Sequence, residues 1–561
     1  MPNLNSKLLR NFYKTSPMRE GILNWYPFDK SASVIESSGG TLTELLRSRC
    51  GEVKELRGEY KGGNKFDYVV VIDSSKITVE LLEGYRSLLN EHGRLLLAFE
   101  NLYGLQYMSG KRNPHTELQY SFNNGVSQFE VKNRLELAGF EGQKWYYPFT
   151  NHYFAQEIYS DNFLPNEFLN HRGQALIEDD YTKQFDERVL WTEVIRNGAF
   201  SFLCNSYLIE ARVCADDAEC DVDFAAITAY RDPNKALITT VHSDGTARKC
   251  AVFQEGITRI NSIAAIHNEL EKLGVNVLPV TREGDSLIMK RLNTSTIWDY
   301  WCKKLIEGNL EEKELFSHYD RIYSEIKKSA KDGKSYWELV PANCFYDESK
   351  DGLIFFDQEY FWEDTDPDIV IVRAIYALLL SAEFHNNSRT NYWIEHLKAR
   401  YGLTAKWDEL ARIAFNKTHE YIFNTAHTEP ITRSAAQATW HMEELQAERV
   451  RDLKRYKKIS VAATALKNMN IDCAGIYGYG VRGKMFRYVL EENGIDVACV
   501  VDKLLPIVRG VPLFATIQEV PVDIKADAII ITPLKDVKQI AENIKQKTRC
   551  RVITLEELIN G

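Results

Sequence analysis

A strand, a glycine turn and a helix follow one another in the stretch CAGIYGYGVRGKMFRYVLEEN. The spacing Gly478-x-Gly480-x-x-Gly483 restricts the backbone more than any other feature of the chain. The first glycine permits a tight turn, the second lets a pyrophosphate approach the main chain, and the third allows close packing of helix on strand. Free amides at the helix N-terminus, together with its dipole, favour an anion there. Asp502 ends the next strand, DVACVVD, about 20 residues on, where a carboxylate would accept bonds from ribose hydroxyls. ADAIIITP and CRVITL read as further strands, so residues 472–561 form a small parallel α/β unit. Room for about four or five strands makes it little more than one mononucleotide-binding half. An accessory site for a nucleotide-sugar or another small phosphorylated ligand fits it at least as well as one for NAD.

At 561 residues the chain is too long for one core, and about two to four domains are expected. The net charge of -10 leaves no basic excess to neutralise phosphates, which argues against a nucleic-acid or anionic-membrane partner. The basic stretch Arg449–Lys458 reads as a solvated helix face. The opening residues lack the roughly 7–15-residue apolar core of a signal peptide, and no apolar run reaches the roughly 18–20 residues of a membrane span. The 10 cysteines contain no C-x-x-C pair. Cys214 and Cys220 are the closest, and no histidine cluster accompanies them, so neither a zinc site nor a disulfide framework is expected. A reducing cytoplasm is the natural location.

The glycine-turn block carries the fold of a small Rossmann-like domain. It resembles those appended to bacterial sugar-modifying enzymes, including sugar methyltransferases and sialic-acid-type acyltransferases. GYGVRG, VVDK, GVPLF and VITLEELI carry that likeness.

Residues 1–170 alternate short apolar strands with amphipathic helices: SVIES, TLTELLRSR, FDYVVVID, VELLEGYRSLLNEH and GRLLLAFE. That alternation is an α/β signature. The order resembles class I S-adenosylmethionine (SAM)-dependent methyltransferases, and more closely a group encoded with bacterial capsule and lipopolysaccharide genes. ILNWYPF, ENLYGLQYMSG and LELAGFEGQKWYYPF carry the closer likeness. In that family the first strand ends E-x-G-x-G-x-G, which brings the backbone against the cofactor. Here Glu36 and Gly40 match, while Ser38 and Leu42 take the other glycine positions, so the domain reads as degenerate. Glu55 is the substitute for the family's ribose-holding acid.

Residues 185–425 open with the strand-like segments SFLCNSYLIEAR, FAAITAY, KALITTVHSD and ARKCAVF and then become helical, which suggests a bilobal α+β domain. The stretch SYWELVPANCFYDESKDGLIFFDQEY sets Glu338, Pro341 and Asn343 ahead of an apolar strand that ends at Asp357. It resembles the catalytic and metal-binding loops of aminoglycoside and choline phosphotransferases, and more distantly of protein kinases, with their H-x-D-x-x-P-x-N pattern. The resemblance implies that Glu338 accepts the proton of an attacking hydroxyl, and that Asn343 and Asp357 hold Mg²⁺ on ATP. Lys249, paired with the helix residue Glu269, would contact the phosphates. Tyr336 stands where that family has histidine, Glu338 replaces the base Asp, and the turn YRDPNK has no glycines. Glu359 and Tyr360 could shape a metal or acceptor site.

Residues 432–469, rich in Ala, Glu, Lys, Arg and Leu without Gly or Pro, read as a helical linker. Three likenesses pointing one way imply a cytoplasmic transferase of surface-glycan biosynthesis. ATP/Mg²⁺-dependent phosphoryl transfer to a sugar or small alcohol is the leading activity. The alternatives are SAM-dependent methylation of a sugar or nucleotide-sugar and a non-enzymatic scaffold that organises other glycan-biosynthesis enzymes. A dehydrogenase is weaker, because nothing beside the C-terminal unit resembles a hydride-transfer domain.

Overall fold

The apolar runs of the first block pair side by side as buried parallel strands in the computed structural model. It describes residues 15–56, 63–72, 74, 77–109, 126–168, 188–330, 333–385, 387–422, 454, 456–503, 508, 510–522 and 524–560. β1 (Ser33–Glu36), β2 (Glu52–Glu55), β3 (Phe66–Ile72) and β4 (Leu89–Glu100) run parallel, with α1 (Thr41–Arg49) between β1 and β2 and α2 (Val79–Leu88) between β3 and β4. Val34, Ile35, Val69 and Val70 have no exposed surface, as central parallel strands covered on both faces require. α3 (Gln128–Leu137) starts at a reciprocal cap in which Ser127 and Glu130 satisfy each other's amides. β5 (Gly142–Phe149) and β6 (Glu157–Ser160) then form an antiparallel hairpin.

The sheet does not stop there. β7 (Ser206–Arg212) inserts antiparallel between β4 and β5. β8 (Val222–Ile227), β9 (Leu237–His242), β10 (Thr246–Ala251), β11 (Val280–Glu283) and β12 (Ser286–Lys290) extend it beyond β6. The result is one twelve-stranded sheet in the order β11-β12-β10-β9-β8-β6-β5-β7-β4-β3-β1-β2. The expected break between residues 170 and 185 therefore does not divide the sheet. β6 and β8 would each be an open edge alone, and pairing Glu157 with Ala226 and Ile158 with Ala225 satisfies both.

α4 (Ile257–Lys272) crosses from β10 to β11. A helical layer follows: α5 (Ile297–Ile306), α6 (Glu312–Ser329), the short strands β13 (Ser335–Tyr336), β14 (Cys344–Asp347), β15 (Gly352–Phe355) and β16 (Phe361–Trp362), then α7 (Asp368–Leu380), α8 (Thr390–Arg400) and α9 (Trp407–Ile422). α6 buries Leu315, Tyr319, Ile322 and Ile326 along one stripe, whereas α7 buries Ile369, Val370, Ile371 and Val372 all round and so runs through the centre. Trp301, Trp337 and Trp393 complete this core. All of this belongs to a compact unit spanning Met1–Ala438.

The second unit spans Thr439–Gly561. β17 (Cys473–Tyr477), β18 (Asp496–Val501), β19 (Leu513–Phe514), β20 (Ala528–Ile531) and β21 (Arg551–Thr554) pair in parallel in the order β19-β18-β17-β20-β21. α10 (Val481–Glu492) and α11 (Val537–Lys545) supply crossovers. Of the helical stretch read over 432–469, residues 432–453 and 455 lie outside the described residues. Residues 456–468 are helical, and Ile459, Ala462, Ala463 and Leu466 pack in one core with Ile476 and Phe486. Among the described residues no helix is long and apolar enough to cross a membrane.

Candidate functional site

Lys249 sits in the middle of β10 between β9 and β12, so its backbone is fixed on both sides. Strand alternation turns Arg248 to solvent and Lys249 inward, where it is buried. The β14–β15 hairpin delivers Asp357 to the same place: Phe356 N donates to Asn343 O at 3.0 Å, which seats Asp357 beside Asn343. Asp357 holds a φ of 59°, a left-handed conformation uncommon for a residue with a side chain and concentrated at functional sites. Lys249 Nζ donates to Asp357 Oδ1, and to Glu359 Oε1 at 2.8 Å. Arg231, from the turn between β8 and β9, donates to Glu359 Oε2 at 2.9 Å. Burial alone would raise the Glu359 carboxyl. The charges of Lys249 and Arg231 overcome it and hold the group well below the usual carboxylate range. Burial likewise works to lower the Lys249 ammonium, and Asp357 and Glu359 reverse that, keeping it charged.

Glu338 lies on the loop after β13. Its Oε2 accepts from Asn343 Nδ2 at 2.6 Å and from Arg373 of α7 at 3.5 Å. Gln358 Nε2 donates to Glu338 O at 2.9 Å and to Phe356 O at 2.8 Å, tying this loop to the Asp357 loop. Burial pushes the Glu338 carboxyl up, Arg373 pulls it down, and Glu359 and Asp357 add repulsion, so it stands above the usual range. Glu338, Asn343, Asp357 and Lys249 are thus linked in one network of ion pairs and hydrogen bonds.

Glu269 does not join them. It pairs with Lys334 at 2.7 Å, and the expected Lys249–Glu269 pair is absent. His267 is the α4 residue that turns inward: it is buried, its Nε2 accepts from Gln358 N at 3.3 Å, and its Nδ1 faces Leu278 O at 3.1 Å. A donor at Nδ1 and an acceptor at Nε2 describe a neutral imidazole, in keeping with burial holding its pKa below the ordinary histidine value. Arg231 and His267 had no motif to announce them, although His267 falls on the apolar stripe Ile260, Ile263, Leu270 of α4 and Glu269 does not.

At the end of β1 the buried Glu36 carboxylate serves its own turn. Oε2 accepts from Ser38 N at 2.6 Å and Gly39 N at 3.0 Å, and Oε1 accepts from Thr43 Oγ1 at 2.6 Å. Ser38 Oγ accepts from Ile72 N at 2.9 Å, binding the turn to the end of β3. Gly39 and Gly40 have φ of 66° and 68°, which glycine adopts without strain. Leu42 is not in the turn surface at all but fully buried in the core. Glu55 ends β2 directly beside Glu36 and is held by Arg47 at 3.1 Å.

In the second unit Gly478 turns at φ 88°, and a Cβ on Gly483 would stand 2.1 Å from Gly478 O, so helix and turn touch at that point. A Cβ on Gly480 would meet nothing within 4 Å, leaving that face of the turn open. Asp502 Oδ2 accepts from Tyr479 N at 2.6 Å, so in this structure it braces the turn.

No family model matches the chain, and no curated protein does. Among solved structures it is similar to a SAM-dependent methyltransferase, a possible histamine N-methyltransferase, from Thermotoga maritima. That likeness has 14% identity and a TM-score of 0.21 over 37% of this chain and 92% of that one. It is also similar to a geranyl diphosphate C-methyltransferase from Streptomyces coelicolor A3(2), in complex with Mg²⁺, geranyl-S-thiolodiphosphate and S-adenosyl-L-homocysteine. There the identity is 11% and the TM-score 0.19, over 37% of this chain and 75% of that one.

Proposed function

We propose that this chain is a transferase of bacterial surface-glycan synthesis that moves a phosphoryl group from ATP, with Mg²⁺, to a hydroxyl of a sugar or small alcohol. One observation carries the reading. A buried lysine on an interior strand pairs with Asp357 at the end of a hairpin, while Asn343 and a carboxylate with raised pKa, Glu338, belong to the same hydrogen-bonded network. The likenesses read from the sequence support the glycan pathway, and other enzymes of that pathway are its proposed partners.

The donor set suits a hard cation. Asp357 keeps 37% of its side chain exposed, and the Asn343 amide nitrogen is engaged by Glu338, which leaves its carbonyl oxygen as the ligand atom. When bound, ATP with Mg²⁺ supplies the phosphoryl group and screens its charge. Lys249 would hold the phosphates, as the cation nearest Asp357. Arg231 adds a second cation from the turn that lacks glycines. Asn343 and Arg373 aim Glu338, and its raised pKa makes its carboxylate a stronger base toward the acceptor hydroxyl. The open face at Gly480 supports a nucleotide-sugar or NAD as an accessory ligand of the second unit.

The test is Mg²⁺-dependent ADP release across a panel of sugars and small alcohols. It is expected to vanish in Asp357→Ala while that variant still melts cooperatively. Absence of both ADP release and any ATP–Mg²⁺ thermal shift in the intact chain would sink the phosphoryl-transfer reading. Binding of glycan enzymes without turnover would then favour a scaffold. One observation favours a second reading, SAM-dependent methylation of a sugar or nucleotide-sugar: Glu36 and the left-handed Gly39–Gly40 turn close β1. Calorimetry with millimolar SAM tests it, and no heat of binding removes it.

A further inference from the structure

β4 and β7 are antiparallel, with Arg94 opposite Arg212, and Val213 N continues the ladder to Gly93 O at 3.2 Å. Two residues outward on each strand, His92 and Cys214 therefore stand opposite one another across the same end of the sheet, as cross-strand neighbours do. The loop that follows β7 brings Asp217 back to them, with its Oδ1 2.9 Å from His92 Nδ1. Ligand atoms of all three residues lie within 4.8 Å of one another. The second carboxylate oxygen of Asp217 is buried and has no hydrogen-bond partner among the described residues.

The loop is held from behind by its backbone, which leaves these side chains to face each other. Arg94 donates to Ala218 O at 2.7 Å, Arg212 to Asp217 O, and Glu141 and Glu210 accept from the amides of Ala215 and Cys220 at 3.2 Å each. Such outer contacts orient metal ligands. We infer that His92, Cys214 and Asp217 bind one zinc-class divalent ion, which fastens the loop after β7 to the sheet.

The chemistry selects the ion. A thiolate, an imidazole and a carboxylate are a borderline-soft set that suits Zn²⁺ and not the all-oxygen preference of Mg²⁺ or Ca²⁺. One thiolate and one carboxylate balance its two charges. His92 Nδ1 faces the site, and Nε2 lies 3.6 Å from Glu91 Oε1. Water completes the tetrahedron. Binding displaces the thiol proton and the hydrogen bond between His92 and Asp217. The ion would sit near the start of β4, roughly 26 Å by strand rise from the Glu100 end of that strand.

The experiment uses the full chain, stripped with a chelator and titrated with Zn²⁺ against a chromogenic competitor. One equivalent is expected in the parent chain and in Cys550→Ser. It should be lost in His92→Ala and Cys214→Ser, whose metal-free melting temperatures match the metal-free parent. Zn²⁺ should raise the melting temperature of the parent and of Cys550→Ser, and of neither His92→Ala nor Cys214→Ser. Loading with Co²⁺ should give a thiolate-to-cobalt charge-transfer band that Cys214→Ser lacks, a readout that needs no folded His92 variant. No bound Zn²⁺, equal binding by both variants, or Co²⁺ bound without a thiolate band would each overturn the assignment.

Discussion

Replacing Lys249 with methionine separates what that residue does for stability from what it does for chemistry. Methionine keeps an unbranched, flexible chain in the same space and removes the charge. At 2.8 Å and an effective dielectric near 20, the attraction of Lys249 for Glu359 is ~6 kcal/mol, most of which offsets the cost of burying both charges. Removing one member of such a pair typically costs ~3–5 kcal/mol. Two features favour the low end. Glu359 keeps Arg231 at 2.9 Å, and Asp357, with 37% of its side chain exposed, recovers water. A loss of ~3 kcal/mol, or a melting temperature lower by roughly 5 °C in a unit this large, is expected. ADP release should fall ~10²–10³-fold, the usual effect of deleting one group that stabilises developing charge. Adding Asp357→Asn to Lys249→Met removes the excess negative charge and leaves the Arg231–Glu359 pair balanced. It should restore ~1 kcal/mol of stability and no activity. Parental turnover in Lys249→Met, or further destabilisation in the double variant, would refute the reasoning.

Glu338 must be ionised to act as a base and its pKa is raised, so kcat/KM should climb with pH through a value above the ordinary carboxylate range. By linkage, a carboxyl raised in the folded state contributes stability below its unfolded pKa and loses it as pH rises through the folded one. Glu338→Gln should therefore abolish the acid limb, lower turnover ~10²–10⁴-fold and become relatively more stable as pH rises through that window, as pH-dependent melting would report. Gly483→Ala gains about 1 kcal/mol of helix propensity but forces a Cβ to 2.1 Å from Gly478 O, so the second unit should melt earlier; an unchanged melt would contradict the tight turn. Gly480→Ala has open space around it and should leave that melt alone while abolishing any nucleotide-sugar or NAD thermal shift. Ser38→Gly removes the hydroxyl that accepts from Ile72 N and should cost ~1 kcal/mol; a SAM affinity that rises in the variant would identify Ser38 as an obstacle to the cofactor.

What was legible in the sequence was local. The strand, turn and helix around Gly478, Gly480 and Gly483 are contiguous, so their spacing reports their geometry directly. Glu338, Asn343 and Asp357 lie on one loop and one hairpin, and they meet for the same reason. The partner of Lys249 was not legible, because it depends on which way α4 faces. Positions 267 and 269 are about 200° apart around a helix, so the packing that buries His267 turns Glu269 outward to Lys334. The shared sheet and the His92–Cys214–Asp217 cluster depend on pairings between distant segments, which no short window of sequence can display.

The order of strands in that sheet governs how the molecule can be dissected. β7 belongs by sequence to the stretch that opens the second block, yet it lies between β4 and β5 of the first. A fragment ending near residue 170 would lack β7 and β8 and expose three raw edges, on β4, β5 and β6, each a template for another chain. A fragment beginning near residue 185 would carry β7 with neither neighbour and β8 with one side bare. Both pieces should aggregate when made alone and recover solubility when made together, in the manner of a split protein.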